Sequence, residues 1–268
     1  MIKALMPVNT NLESSIALRY AKKLSRWIDL MLHDIHIVEA DRIGPAPGSG
    51  WTRNTWENAL IETASQEIHQ FLEMENLDLK RLGHSEILIG DRTEKLIETL
   101  EEGEYQLFIE GALPTFNLSD FYFLVHSLLY RAMPCPALIV KNIVELNRVA
   151  VLVGNKDYPV LISAFLDIFS SSGIEIDLID YVLTISDELA VRKANSHPRW
   201  LNGAASMFGD KGVMLKACTI LEGPVSQVAQ YLRTYGLVAA SLPRNPRRHY
   251  PKLELLARVS APVLICWL

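Results

Sequence analysis

One stretch limits the folds open to this chain more than any other. Residues 105–140 hold an apolar run, Leu107-Phe108-Ile109, then Gly111, a segment rich in aromatic residues, and a second apolar run, Ala137-Leu138-Ile139-Val140, directly after Pro134-Cys135-Pro136. Short β-prone runs on either side of a helical pattern read as strand, crossover helix and parallel strand. Such a unit needs a sheet whose two faces are both covered, because uninterrupted apolar strands leave no side for water.

A reduced copy of the unit closes the chain. Leu237-Val238-Ala239-Ala240-Ser241-Leu242-Pro243 leads through a short helical segment to Ala261-Pro262-Val263-Leu264-Ile265-Cys266. Leu113-Pro114 and Leu242-Pro243 set one offset between the copies, and this alignment places Ala240 where Gly111 stands. A repeated unit in a chain of 268 residues implies two halves, 1–145 and 146–268, joined by a short linker at 142–147. The terminal strands 137–140 and 263–266 are short apolar edges, and pairing them with each other hides their open backbone groups.

In the first half, strand 3–8 leads to a helix with Ala17, Tyr20, Ala21 and Leu24 on one face, capped by Thr10 three residues before Glu13. Strand 30–38 follows, then a glycine- and proline-rich loop at 41–51, a helix with Ala64, Ile68 and Phe71 inward, and strand 87–89. Asp91 caps the next helix, whose inward stripe is Leu96, Ile97 and Leu100. The crossover helix after Gly111 is read as continuous, with Leu118, Phe121, Val125, Leu128, Leu129 and Ala132 on its buried face. In the second half, strand 149–153 precedes a helix with Leu161, Phe165 and Ile168 inward, strand 176–182, a helix from 187 to 195, strand 213–217 and a helix opened by Pro224.

The order of elements in each half and the Cys135-Pro136-Ala137-Leu138-Ile139-Val140 ending resemble the universal stress protein family in its tandem two-domain form. The resemblance implies an α/β fold of two tandem open parallel-sheet sandwiches, of the adenine-nucleotide alpha-hydrolase-like kind, with helices on both faces. In the nucleotide-binding members, the loop after the fourth strand reads Gly-x-x-Gly and later Gly-Ser/Thr, because glycines admit phosphates to backbone N–H groups and a helix N-terminus favours anions. Here Gly111 is kept, Pro114 replaces the second glycine, and Phe123-Leu124 stand where Gly-Ser is due. The first strand ends Pro7-Val8-Asn9 where those members have Pro-Val-Asp, and Asn155 follows Gly154 in the second half. The resemblance therefore implies a chain that has lost ordinary ATP binding.

Composition narrows the function further. A net charge of −5 in a chain with 21% charged residues disfavours general nucleic-acid or anionic-membrane binding. No apolar run reaches membrane-spanning length, and a cytoplasmic location is expected. Cys135, Cys218 and Cys266 lack paired spacing and read as thiols. His33 and His36 lie three apart on a strand, which turns them to opposite faces, so packing explains them better than metal binding. No nucleophile motif, metal motif or cofactor motif is present, and no catalytic residue is assigned.

One basic loop stands out: Arg244, Arg247 and Arg248 follow the fourth strand of the second half, where forked donors suit a phosphate or carboxylate. An exposed loop paired with acidic neighbours is the preferred reading. The expected function is that of a non-enzymatic stress-response or regulatory protein acting through an unknown protein partner, its halves packed as an internal pseudo-dimer, with a homodimer also open. The alternative is a ligand sensor holding a nucleotide or other anion in one half, with Asn9, Gly111, Arg244, Arg247 and Arg248 as its candidate residues.

Overall fold

The structure, a computed structural model, describes residues 1–39, 50–76, 78–113, 115–154, 156–185, 188–193, 199–247 and 250–268. The loop expected at 41–51 lies outside the described residues up to position 49. The first half runs β1 (Ile2–Pro7), α1 (Leu12–Leu24), β2 (Leu30–Val38), α2 (Trp51–Glu75), β3 (Glu86–Ile89), α3 (Arg92–Glu102), β4 (Leu107–Gly111), α4 (Leu118–His126), α5 (Leu128–Ala132) and β5 (Ala137–Val140). The second runs β6 (Arg148–Val153), α6 (Tyr158–Phe169), β7 (Glu175–Leu183), β8 (Ala190–Lys193), α7 (Arg199–Asp210), β9 (Leu215–Gly223), α8 (Val225–Leu232), β10 (Leu237–Leu242), α9 (Pro251–Arg258) and β11 (Val263–Trp267).

All of these strands join one 11-stranded sheet in the order β3-β2-β1-β4-β5-β11-β10-β6-β7-β9-β8. Within each half the order is doubly wound and the main strands are parallel. The halves meet antiparallel where Val263, Leu264 and Ile265 pair with Ile139, Leu138 and Ala137, the junction expected from the two apolar edges. Strands β5, β10 and β11 are buried along their whole length, as unbroken apolar runs require. One core packs α1, α2, α6 and α7 against one face; the other packs α3, α4, α5, α8 and α9 against the opposite face. Both cores draw residues from both halves. A buried hydrogen bond ties them further, the Tyr20 hydroxyl donating to the Gly236 carbonyl at 2.7 Å.

Three local expectations are corrected. The cap of α1 is Asn11 rather than Thr10: its Oδ1 accepts from the Ser14 amide at 3.0 Å, the shorter reach that an extended N-cap asparagine allows. The crossover helix is broken at Ser127, whose extended backbone caps α5. The break rotates the second piece, so Leu129 and Tyr130 are buried while Leu128 is 62% exposed. The helix expected over 187–195 is not formed over its described part, where Ala190–Lys193 is instead the strand β8, which pairs antiparallel with β9. Sheet pairing satisfies an otherwise open edge and overrides a weak local helical pattern.

Candidate functional site

The carboxyl ends of β1 and β4 lie side by side, and the helices that follow them, α1 and α4, pack on opposite faces of the sheet. A crevice must open at such a switch point. It brings Asn9 and Gly111 together, in a cleft of about 240 Å³ that Pro7, Asn11, Glu13, Ser14, Arg92 and Glu110 complete. A second cleft of about 370 Å³ shares Glu13, Glu110 and Gly111 and adds Leu113, Thr115, Phe116, Asp120 and Leu124.

The chemistry of this crevice is self-contained. Arg92 Nη2 donates to Glu110 Oε1 at 2.7 Å, and the Tyr130 hydroxyl donates to Glu110 Oε2 at 2.5 Å. Burial, reinforced by Glu110, pushes the Tyr130 pKa well up, so it stays a donor. Both helix N-termini facing the crevice are closed by their own side chains. Asn11 caps α1, and Ser14 Oγ accepts from the Asn9 amide at 2.9 Å. Asn117 and Asp120 form a reciprocal capping box on α4. The larger cleft is bordered by Glu13, Glu110 and Asp120 and, among the described residues, by no basic residue, in a mostly apolar lining.

Gly111 has a packing role in this arrangement. A Cβ there would overlap the Glu13 carbonyl and stand 3.2 Å from the Glu13 Cα, so glycine is what lets the first turn of α1 close on β4. Of the bulky pair in the family's Gly-Ser place, Leu124 lines the larger cleft, whereas Phe123 is 69% exposed and leaves it. Pro114 lies outside the described residues.

Strand register corrects the alignment of the second half. Gly111 pairs with Val140 and Ser241 pairs with Cys266, and Val140 and Cys266 stand at the same distance past Pro136 and Pro262. Ser241, not Ala240, therefore occupies the position of Gly111. The same logic puts Gly154 rather than Asn155 opposite Asn9; Asn155 lies outside the described residues. Here the crevice is filled by a cluster that sequence reasoning missed. Lys252 Nζ donates to Asp157 Oδ2 at 2.6 Å and to Ser241 Oγ at 3.1 Å, and Ser241 Oγ donates to the Asp157 carboxylate. Burial raises the Asp157 pKa, but the hydrogen bonds from Lys252 and Ser241 outweigh it and hold the carboxyl below its ordinary value. The available signal was Lys252 itself, set directly before Leu253, Leu255 and Leu256 on an otherwise apolar helix face.

The basic loop is placed differently from the crevice residues. Arg244 Nη1 donates to the carbonyls of Arg131 at 3.0 Å and Met133 at 2.8 Å, so it ties the second half to the end of α5. Arg247 is exposed, and Arg248 lies outside the described residues. His36 Nδ1 meets the Val8 carbonyl at 2.9 Å, while His33 bridges Tyr105 and Glu86, which are packing roles. Among the described residues no group of side chains has the makings of a metal site. The cysteines are free thiols, and burial pushes the pKa of Cys135 and of Cys266 up to about 12. No helix among the described residues is long and apolar enough to cross a membrane.

No family model matches the chain, and no curated protein matches it in sequence. Solved structures do match. A universal stress protein from Archaeoglobus fulgidus DSM 4304 aligns with a TM-score of 0.66 at 14% identity, over 99% of this chain and 98% of that one. A functionally unknown protein from Pseudomonas aeruginosa PAO1 gives 0.59 at 15% identity over 99% and 92%, and a putative universal stress protein from Pseudomonas aeruginosa UCBPP-PA14 gives 0.57 at 15% over 99% and 93%. Along nearly its whole length, this chain has the fold of the universal stress proteins.

Proposed function

We propose that this chain is a stress-response or regulatory protein of the universal stress protein kind that works without catalysis, does not bind ATP in the family's usual way, and acts through contact with another protein. One observation carries the reading: the polar side chains at the sheet's switch point are, in each half, bonded to other groups of the chain itself. In the first half Glu13 packs on Gly111, both helix N-termini are capped, and the larger open volume has, among the described residues, three acidic residues and no basic one in a mostly apolar lining. A polyphosphate there meets the acidic residues Glu13, Glu110 and Asp120, with the Ser14, Ser119 and Asp120 amides already engaged in caps. In the second half Asp157, Ser241 and Lys252 satisfy one another.

Protein contact is supported by apolar surface on the crossover segment, where Leu113, Leu118, Phe123 and Leu128 are all exposed. A sensor holding an anion at the Arg244 loop has less support, because Arg244 is spent on carbonyls of the first half. Native mass spectrometry of freshly purified protein, followed by calorimetry with ATP and Mg²⁺, tests the proposal. The expected result is a mass free of nucleotide and no saturable heat. A stoichiometric nucleotide adduct or a one-to-one isotherm overturns it.

A further inference from the structure

At the seam between the halves, Lys141 holds an ammonium where one is costly to keep. The residue follows β5 and is 5% exposed. Its Nζ donates to the carbonyls of Leu256 at 2.9 Å and Ala257 at 3.2 Å, near the end of α9, and stands 5.7 Å from the centre of the Phe121 ring. These partners are dipoles and a ring face. Among the described residues no carboxylate forms an ion pair with Lys141, and burial pulls its pKa down to about 7. A buried cation of this kind is stabilised most by a counter-ion.

The chain opens space for one at that point. A cleft of about 280 Å³ is lined by Phe116, Lys141 and Asn142 from the first half and by Arg233, Arg258 and Ser260 from the second, among others. Its cationic side chains face no acidic lining residue. Arg258 shares Glu254 on its own helix at 3.0 Å, and Arg233 is in no ion pair among the described residues. Guanidinium forks match the paired oxygens of an oxyanion, and the Asn142 amide and Ser260 hydroxyl add neutral donors. A water molecule takes about 30 Å³ of liquid, so the cleft has room for one tetrahedral oxyanion with part of its hydration shell.

We propose that this seam cleft is an anion site for a phosphate group, free or as a small phosphate monoester, held by Lys141, Arg233 and Arg258. Because its donors come from both halves, the bound anion cross-links them and stabilises the pair as a unit. The site borders the larger cleft at Phe116 but shares none of its polar residues, and its test does not depend on whether ATP binds there.

Inorganic phosphate and sulfate are titrated into the full-length protein at constant ionic strength, with chloride as the control, and read by thermal unfolding and calorimetry. Saturable stabilisation by phosphate and not by chloride is expected. The Arg233→Gln/Arg258→Gln double variant changes only exposed groups and should fold normally while losing at least tenfold in affinity. Lys141→Met should lose binding while still unfolding cooperatively, a combination that simple misfolding does not give. An Arg247→Gln variant should bind as wild type. Stabilisation equal in wild type and the double variant, equal with chloride, or absent altogether overturns the proposal.

Discussion

Replacing Gly111 by alanine separates a packing glycine from a ligand-binding one. The added methyl would overlap the Glu13 carbonyl oxygen and carbon, with the Glu13 Cα only 3.2 Å away. These are main-chain atoms that cannot rotate aside, and the φ of Gly111 is not positive, so the whole effect is steric. Relief requires α1 to lift from the sheet, yet α1 buries Ile16, Ala17, Leu18, Tyr20, Ala21 and Leu24. Overpacking costs about 1–3 kcal/mol, and a backbone clash under a buried helix belongs at the upper end, about 3 kcal/mol. For a chain of this size, each kcal/mol moves Tm by about 2–4 °C, which gives a fall of about 6–12 °C. Circular dichroism during heating and in urea reads the change. A Tm within about 2 °C of wild type would refute the argument and return Gly111 to a ligand role.

The remaining expectations concern other ties. Lys252→Met leaves the half-buried Asp157 carboxylate without its counter-charge, held by the Ser241 hydroxyl and a backbone amide, and should cost about 3 kcal/mol in urea unfolding. Because Asp157 has its pKa depressed in the folded state, its contribution is present above the unfolded carboxyl value and is lost as pH falls through the acid range; the variant should therefore show a flatter loss of stability below about pH 4. An unchanged acid slope would count against the cluster. Tyr20→Phe removes the donor to Gly236 and should cost about 1–2 kcal/mol, measured by the urea midpoint, with no shift showing that water replaces the bond. Leu128→Asp should change stability by less than about 1 kcal/mol, whereas Leu129→Asp, one residue on and buried, should abolish cooperative unfolding; similar effects in both would contradict the break at Ser127.

Most of the fold was legible because it rests on periodicity. The apolar runs at 107–109, 137–140, 149–153 and 263–266 are buried strands, and the halves meet at the two runs that had no other means of covering their edges. What escaped was decided by tertiary contact. Ser127 offers a cap in the middle of an apolar helical pattern, and nothing local says that the chain takes it. Residues 190–193 become a strand only because β9 presents an edge to pair with. Arg244 looked like a free donor at a ligand edge, yet its acceptors, Arg131 and Met133, belong to the other half.

The alignment of the two halves read from the sequence was one residue out of place in the second, and the slip has a physical content. Aligning Leu113-Pro114 with Leu242-Pro243 matches Gly111 to Ala240, but along a strand a shift of one residue exchanges the two faces of the sheet. Register restores Ser241 to the position of Gly111, and with it the reason that the halves differ. In the first half α1 closes directly on the strand, which only glycine permits. In the second, a hydroxyl stands in that position, so α6 cannot close in the same way, and Asp157 at its start reaches back to accept from Ser241 while Lys252 supplies the counter-charge. A hydroxyl and a carboxylate at this depth need such partners, and Lys252 supplies two of its three donors to them. The equivalent strand ends are thus packed in two different ways in one chain, by backbone contact in one half and by a polar network in the other.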